Sequence, residues 1–190
     1  MRFSGSSIVA LIATAIMLLS GLQAQAQTPT EWKKLEGDVT LYMANDLGRN
    51  GYYDQKPIAE LMGEMAKTTG MECVLAVGDI HHFNGVASVN DPLWTTNFEQ
   101  VYSHPELMLD WFPVLGNHEY RGNTQAVLDY GKVSRRWMKP ARYYTKVFES
   151  KGTTLRIVFL DTTPLIDRYR ENSEKYPDAC KQDYQAQLDW

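Results

Sequence analysis

Cysteine is almost missing from these 190 residues. Cys73 and Cys180 are the only two, and no CxxC pair or Cys/His cluster accompanies them. A structural zinc site is therefore not indicated, and a single Cys73–Cys180 bridge stays open because spacing carries no geometry. Runs of one charge are missing as well. Nineteen Lys and Arg face 23 Asp and Glu, a formal charge of −4, with no basic stretch. Phosphate polymers meet no electrostatic foothold, so nucleic-acid binding is disfavoured. Repeats and low-complexity tracts do not occur, and 22% charged with 12% aromatic residues argues against disorder. Histidine is sparse, at positions 81, 82, 104 and 118, and none follows His118.

The longest apolar run, Ile8 to Leu22, falls short of the ~20 residues a spanning helix needs. It follows Met1-Arg2 and precedes Ala24-Gln25-Ala26, the layout of a secretory signal peptide cut before Gln27. No cysteine stands at that point to carry a lipid. The expected organisation is a signal peptide at 1–26, a polar segment at 27–37 and one domain at 38–190. Its product is exported, periplasmic or extracellular, with no stable membrane anchor.

Within the domain, Asp38 to Ala44 alternates like a strand. Pro57 opens a helix over Ile58 to Thr68 that Gly70 closes, and Glu72 to Val77 is a buried strand carrying Cys73. That order is a βαβ unit with parallel strands, so the fold class is α/β. Leu93 to Tyr102 is expected to be helical, Pro105 to Leu109 a short helix, and Trp111 to Leu115 the next strand. Thr124 to Gly131 and the stretch to Trp137 look helical. Tyr143 to Phe148 and Leu155 to Leu160 form a hairpin about Gly152, Arg168 to Asp178 is a loop, and a helix begins near Lys181.

Four loops carry chemistry: Asn45-Asp46-Leu47-Gly48, Gly78-Asp79-Ile80-His81-His82, Gly116-Asn117-His118-Glu119 and Leu160-Asp161-Thr162. The first three follow β-prone runs, and open α/β sheets bind ligands beyond the carboxyl ends of their strands. Asp46, Asp79 and Asn117 are thus candidate ligands of a cation pair, whose chemistry is metal-assisted attack of water on a phosphate ester. His118 is the candidate catalytic residue, as donor to the phosphate or acid to the leaving oxygen. Singly, each Asp also reads as a cap or turn former, Gly116-Asn117 as a turn, and His81, His82 and His104 as surface residues. Asp161 reads as a structural turn or support residue.

The motifs NDLG, GDIHH and GNHE, with FNGVASVNDPLWTTNFEQVY, YGKVSRRWMKPARYY and FLDTTPL, resemble the N-terminal portion of a calcineurin-like metallophosphoesterase. The small purple, tartrate-resistant acid phosphatases are the most similar members. The resemblance implies a four-layer αββα sandwich, here its N-terminal part, with two metal ions (Fe, Zn or Mn) at the rim. By likeness Asp46 is a ligand of the first metal, Asp79 the bridge, Asn117 a ligand of the second, and His118 the phosphate contact. Two departures stand out. His82 occupies the position of the tyrosine whose phenolate colours the purple enzymes, and Gly48 that of the histidine in a related Asp-x-His loop. His82 is therefore expected to restore a nitrogen ligand and to favour divalent ions. The family's further histidine loops have no counterpart after His118, so the sequence is expected to be a fragment.

The expected function is an exported, metal-dependent phosphatase acting on a small phosphomonoester. Cleavage of diesters or pyrophosphates on the same scaffold, or non-catalytic binding of phosphate or a partner, are the alternatives.

Overall fold

The structure is a computed structural model that describes residues 39–190. The leader and the 27–37 segment expected from the sequence lie outside the described residues. Strand β1 (Leu41–Ala44) leads into helix α1 (Gln55–Thr69) and then β2 (Cys73–Val77). Strand β3 (Asp110–Val114) follows, and the three form a parallel sheet in the order β1-β2-β3. The expected βαβ unit is present. Helix α1 starts three residues earlier than its periodicity indicates because Gln55 is tied down by its surroundings. Its side chain accepts from Arg49 and Gly51 N–H and donates to the Leu47 and Asn97 carbonyls. Gly70 ends the helix as expected, in the left-handed region at φ 67° with its N–H on the Ala66 carbonyl.

Strand β2 is buried on both faces, and the two faces serve different layers. Val74 and Ala76, with Trp111 of β3, pack toward Ala59 and Ala66 of α1. Cys73, Leu75 and Phe112 point the other way, onto Tyr144 and Phe159. Those two belong to a hairpin of β4 (Tyr144–Ser150) and β5 (Thr153–Phe159), paired antiparallel through a turn at Lys151-Gly152. The described residues thus build three layers: helix, parallel sheet and hairpin. Both cysteines are free, Cys73 buried and Cys180 exposed, so the bridge left open by the sequence is not made.

Three expectations need correction. Leu93 to Tyr102 contains a wide π-helical turn at Trp94–Glu99 rather than an ordinary α-helix. Helix α2 (Thr124–Asp129) and a 3-10 turn stop at Lys132, and the chain to Trp137 is not helical. It runs beside β3, with Trp111 N–H on the Arg136 carbonyl and Met138 N–H on the Trp111 carbonyl. The aromatic residues there serve the core: Trp94 stacks on Tyr130 at 3.5 Å, and Phe98 meets Trp111 and Trp137 edge-on at 5.0 Å each. Sheet pairing plus ring packing outweighs the weak local helix preference. The loop expected at Arg168 to Asp178 begins within a short helix α3 (Asp167–Arg170). Helix α4 (Tyr184–Asp189) closes the chain, capped by Asp183 on the Ala186 N–H.

Asp161, at the end of β5, joins the layers beneath the loops. Tyr120 donates to its carboxylate at 2.5 Å, Arg142 lies 3.9 Å away, and Gln187 of α4 bonds its backbone N–H and carbonyl. Its Oδ1 is buried with no hydrogen-bond partner among the described residues. Burial pushes this carboxyl up to about 6 from 3.8, against the lowering pull of Tyr120, Lys139 and Arg142. The folded chain then holds the proton more tightly than the unfolded one between pH 3.8 and 6. Stability contributed by Asp161 is full below that window and falls by about 3 kcal/mol as pH rises through it. Asp161→Asn keeps an acceptor for Tyr120 and removes this titration. Urea midpoints of parent and variant are expected to diverge across the window, and parallel curves would refute the assignment.

Candidate metal centre

Each expected loop leaves its strand at the carboxyl end, and the parallel register brings the three ends together. Asp46, Asp79 and Asn117 line one cleft of about 190 Å³, together with Gly78, Gly116, Thr162, Thr163, Ile166 and Tyr169. Two glycines make the approach possible. A Cβ on Gly48 would stand 1.8 Å from the Ile80 carbonyl, and one on Gly116 would stand 2.2 Å from the Asp79 carboxylate. The position that holds histidine in the Asp-x-His loop is thus filled by the backbone of the second loop, with His82 N–H on the Gly48 carbonyl. Asp46 and Asp79 both take left-handed backbone, φ 55° and 53°. Such strain in non-glycine residues costs of order 1–3 kcal/mol each and gathers at functional sites.

His82 is buried and places Nε2 3.2 Å from Asp46 Oδ1. Ligand atoms of Asp79, His82 and His118 all lie within 4.8 Å of one another, and the His82 and His118 rings sit 4.0 Å apart. The reading of His81 and His82 as surface residues is corrected: His81 is 0% and His82 5% exposed. Burial, then the neighbouring His118 and Arg49, lowers the His82 pKa, which keeps the imidazole neutral and its lone pair available. Its Nδ1 is buried with no partner among the described residues. If Nε2 donates to Asp46, the Nδ1 lone pair is orphaned. If the proton sits on Nδ1, two acceptors face each other at Asp46. A cation held by imidazole Nε2 and carboxylate together removes the clash of the second arrangement, leaving only Nδ1–H without an acceptor, so the donor set fits a metal.

His118 is fixed differently. Its Nδ1 lies 2.7 Å from the Phe83 carbonyl, an acceptor, and 3.1 Å from Arg121 Nη1, a donor; the shorter contact places the hydrogen on Nδ1 and the lone pair on Nε2. Arg121 donates to the same carbonyl at 3.1 Å, and the His118 backbone N–H donates to Asp79 Oδ1 at 3.0 Å. In this tautomer Nε2 offers a lone pair to a cation or proton, and it donates to a phosphate only once protonated.

His81 plays no part in the cleft. Its ring stands edge-on to Trp94 at 4.3 Å, and burial pushes its pKa down to about 3. His104, also expected on the surface, is buried against Gly63 of α1 and lies near Glu60 and Glu64. Its Nδ1 accepts from Glu106 N–H, so Nε2 bears the hydrogen toward Glu64, whose same oxygen already holds Lys67 at 2.7 Å. In that tautomer the His104 ring offers no lone pair to an ion.

Sequence reasoning gave no role to Glu119. It is fully buried and accepts four backbone N–H groups, from Asp79, Ile80, His81 and Gly116, at 2.8–3.0 Å. Burial pushes its carboxyl up to about 7 against the pull of those donors. One side chain thus clamps the second and third loops into a fixed relation. The signal was present as the fourth letter of GNHE, but which amides it would bind is a tertiary fact.

No protein-family model matches the chain. It is 34% identical over 138 residues to purple acid phosphatase 3 of Arabidopsis thaliana, covering 72% of this chain and 36% of that one. Purple acid phosphatase 7 of the same plant is 32% identical over 144 residues, covering 76% and 43%. Human tartrate-resistant acid phosphatase type 5 is 35% identical over 108 residues, covering 54% and 33%. The chain thus spans less than half the length of these relatives. Among solved structures, GAP50, the anchor in the inner membrane complex of Plasmodium, superposes with a TM-score of 0.59 at 25% identity, covering 73% of this chain and 47% of that one. With three strand-end loops meeting at one cleft and these matches across most of the described residues, the chain is a relative of the purple acid phosphatases within the calcineurin-like metallophosphoesterases.

Proposed function

We propose that the chain belongs to an exported phosphatase that hydrolyses small phosphomonoesters at a dinuclear metal centre, on a layered domain that is a four-layer sandwich when complete. The observation that supports this most is the single cleft shared by Asp46, Asp79 and Asn117, with His82 and His118 at its side. Asp46 and His82 would hold one ion and Asn117 the other, with the Asp79 carboxylate available to both. A bound pair would supply Lewis-acid polarisation of the ester and a more acidic water. Asp79 Oδ1 and the Phe83 carbonyl orient His118, and its Nε2, once protonated, donates to the phosphate or the leaving oxygen. Glu119 keeps the loops from drifting as charge enters the cleft. A neutral imidazole in place of a phenolate favours zinc, manganese or ferrous iron over ferric iron.

The test is turnover of p-nitrophenyl phosphate against bis(p-nitrophenyl) phosphate by the metal-loaded chain. Hydrolysis of the monoester with little of the diester is expected, and the reverse preference would replace phosphatase by phosphodiesterase. His82→Tyr probes the ligand assignment by a separate readout. Loaded with iron, the variant is expected to gain a visible absorption band and to change its metal content. Neither change would remove His82 from the centre. A second reading, non-catalytic attachment to a partner, draws on the neighbour described as an anchor. Stoichiometric metal without turnover of either ester would favour it.

A further inference from the structure

Beside the cleft, and sharing Asn117 and Tyr169 with it, lies a second hollow of about 360 Å³. Arg121, Arg168 and Lys175 line it together with Asn172, and no carboxylate does. None of these three cations makes an ion pair among the described residues. Arg121 donates to the Phe83 carbonyl and the Tyr176 hydroxyl, and its Nε is buried without an acceptor. Arg168 donates to the Tyr169 hydroxyl and lies 4.6 Å above its ring, while Lys175 rests 5.7 Å over Tyr176. Asp167, the carboxylate beside Arg168 in sequence, is taken by Arg170. Three cations around one hollow repel each other and lower the cost of bringing in an anion. Guanidinium forks match phosphate oxygens in both spacing and plane.

We propose that this hollow receives a second phosphate of the substrate, so that the preferred substrates are small molecules bearing two phosphate groups, one hydrolysed in the cleft and one held by Arg121, Arg168 and Lys175. This rests on the phosphatase reading. It adds that specificity is set by charge outside the metal centre.

The double variant Arg168→Ala/Lys175→Ala tests it, since both side chains are exposed and neither serves the metal centre. With the metal-loaded chain, KM for fructose 1,6-bisphosphate is expected to rise about tenfold or more. Turnover and KM for p-nitrophenyl phosphate stay unchanged. An unchanged KM for the bisphosphate with normal monoester turnover overturns the second site and leaves the phosphatase reading standing. If neither ester is hydrolysed, that reading fails, and calorimetric titration with the bisphosphate still decides the second site. Affinity about tenfold weaker in the double variant supports it. Equal affinity, or no binding to either protein, overturns it.

Discussion

Glu119→Ala is expected to cost about 4 kcal/mol of stability and to weaken metal binding by about 10–100-fold. The first figure follows from the four backbone N–H groups that converge on this buried carboxylate. Each buried donor left without an acceptor costs about 1–3 kcal/mol, and partial relaxation or water entry recovers part of the sum. The second follows from what those amides belong to: residues 79–81 and 116 carry or flank Asp79, His82 and Asn117, and losing an orienting contact behind ligands typically has that effect. Glu119→Gln offers little rescue. It keeps one acceptor oxygen but turns an NH2 toward the remaining N–H pair. Urea unfolding gives the first quantity and competition with a chelator the second. A loss under about 1 kcal/mol with metal affinity intact would mean the loops hold their positions unaided.

Asp79→Asn is expected to separate chemistry from folding. The amide retains an oxygen for the His118 N–H, now held at 3.0 Å by Asp79 Oδ1, so the unfolding midpoint stays within the range of an ordinary surface change. The charge that would sit between two cations is gone. Metal content measured by elemental analysis should fall by at least one ion per chain, and monoester turnover by on the order of 10³-fold. Full metal content with turnover intact would exclude Asp79 as the bridge. Loss of metal with loss of fold would make it a structural carboxylate instead. The two variants are complementary: one disturbs the frame and leaves the donors, the other removes a donor and leaves the frame.

By itself, the sequence determined the βαβ order, the parallel strands and the placing of Asp46, Asp79 and Asn117 just past strand ends. Those features are local: β2 is a short continuous apolar run, α1 repeats its apolar residues at helical spacing, and Gly70 stops it for a backbone reason. Parallel neighbours in register then put successive strand ends side by side, so the cleft was legible before any coordinate. The fate of Arg136 and Trp137 was not legible, because a sheet edge and an aromatic cluster far away in sequence outbid a weak helical pattern. Nor were the burial of His81, His82 and His104, the backbone that fills the space beside Gly48, or the amides that Glu119 gathers. Periodicity tells which face of an element turns inward, but loops have no period. What a loop side chain meets is set by which other loop the fold brings against it, and only the tertiary structure decides that.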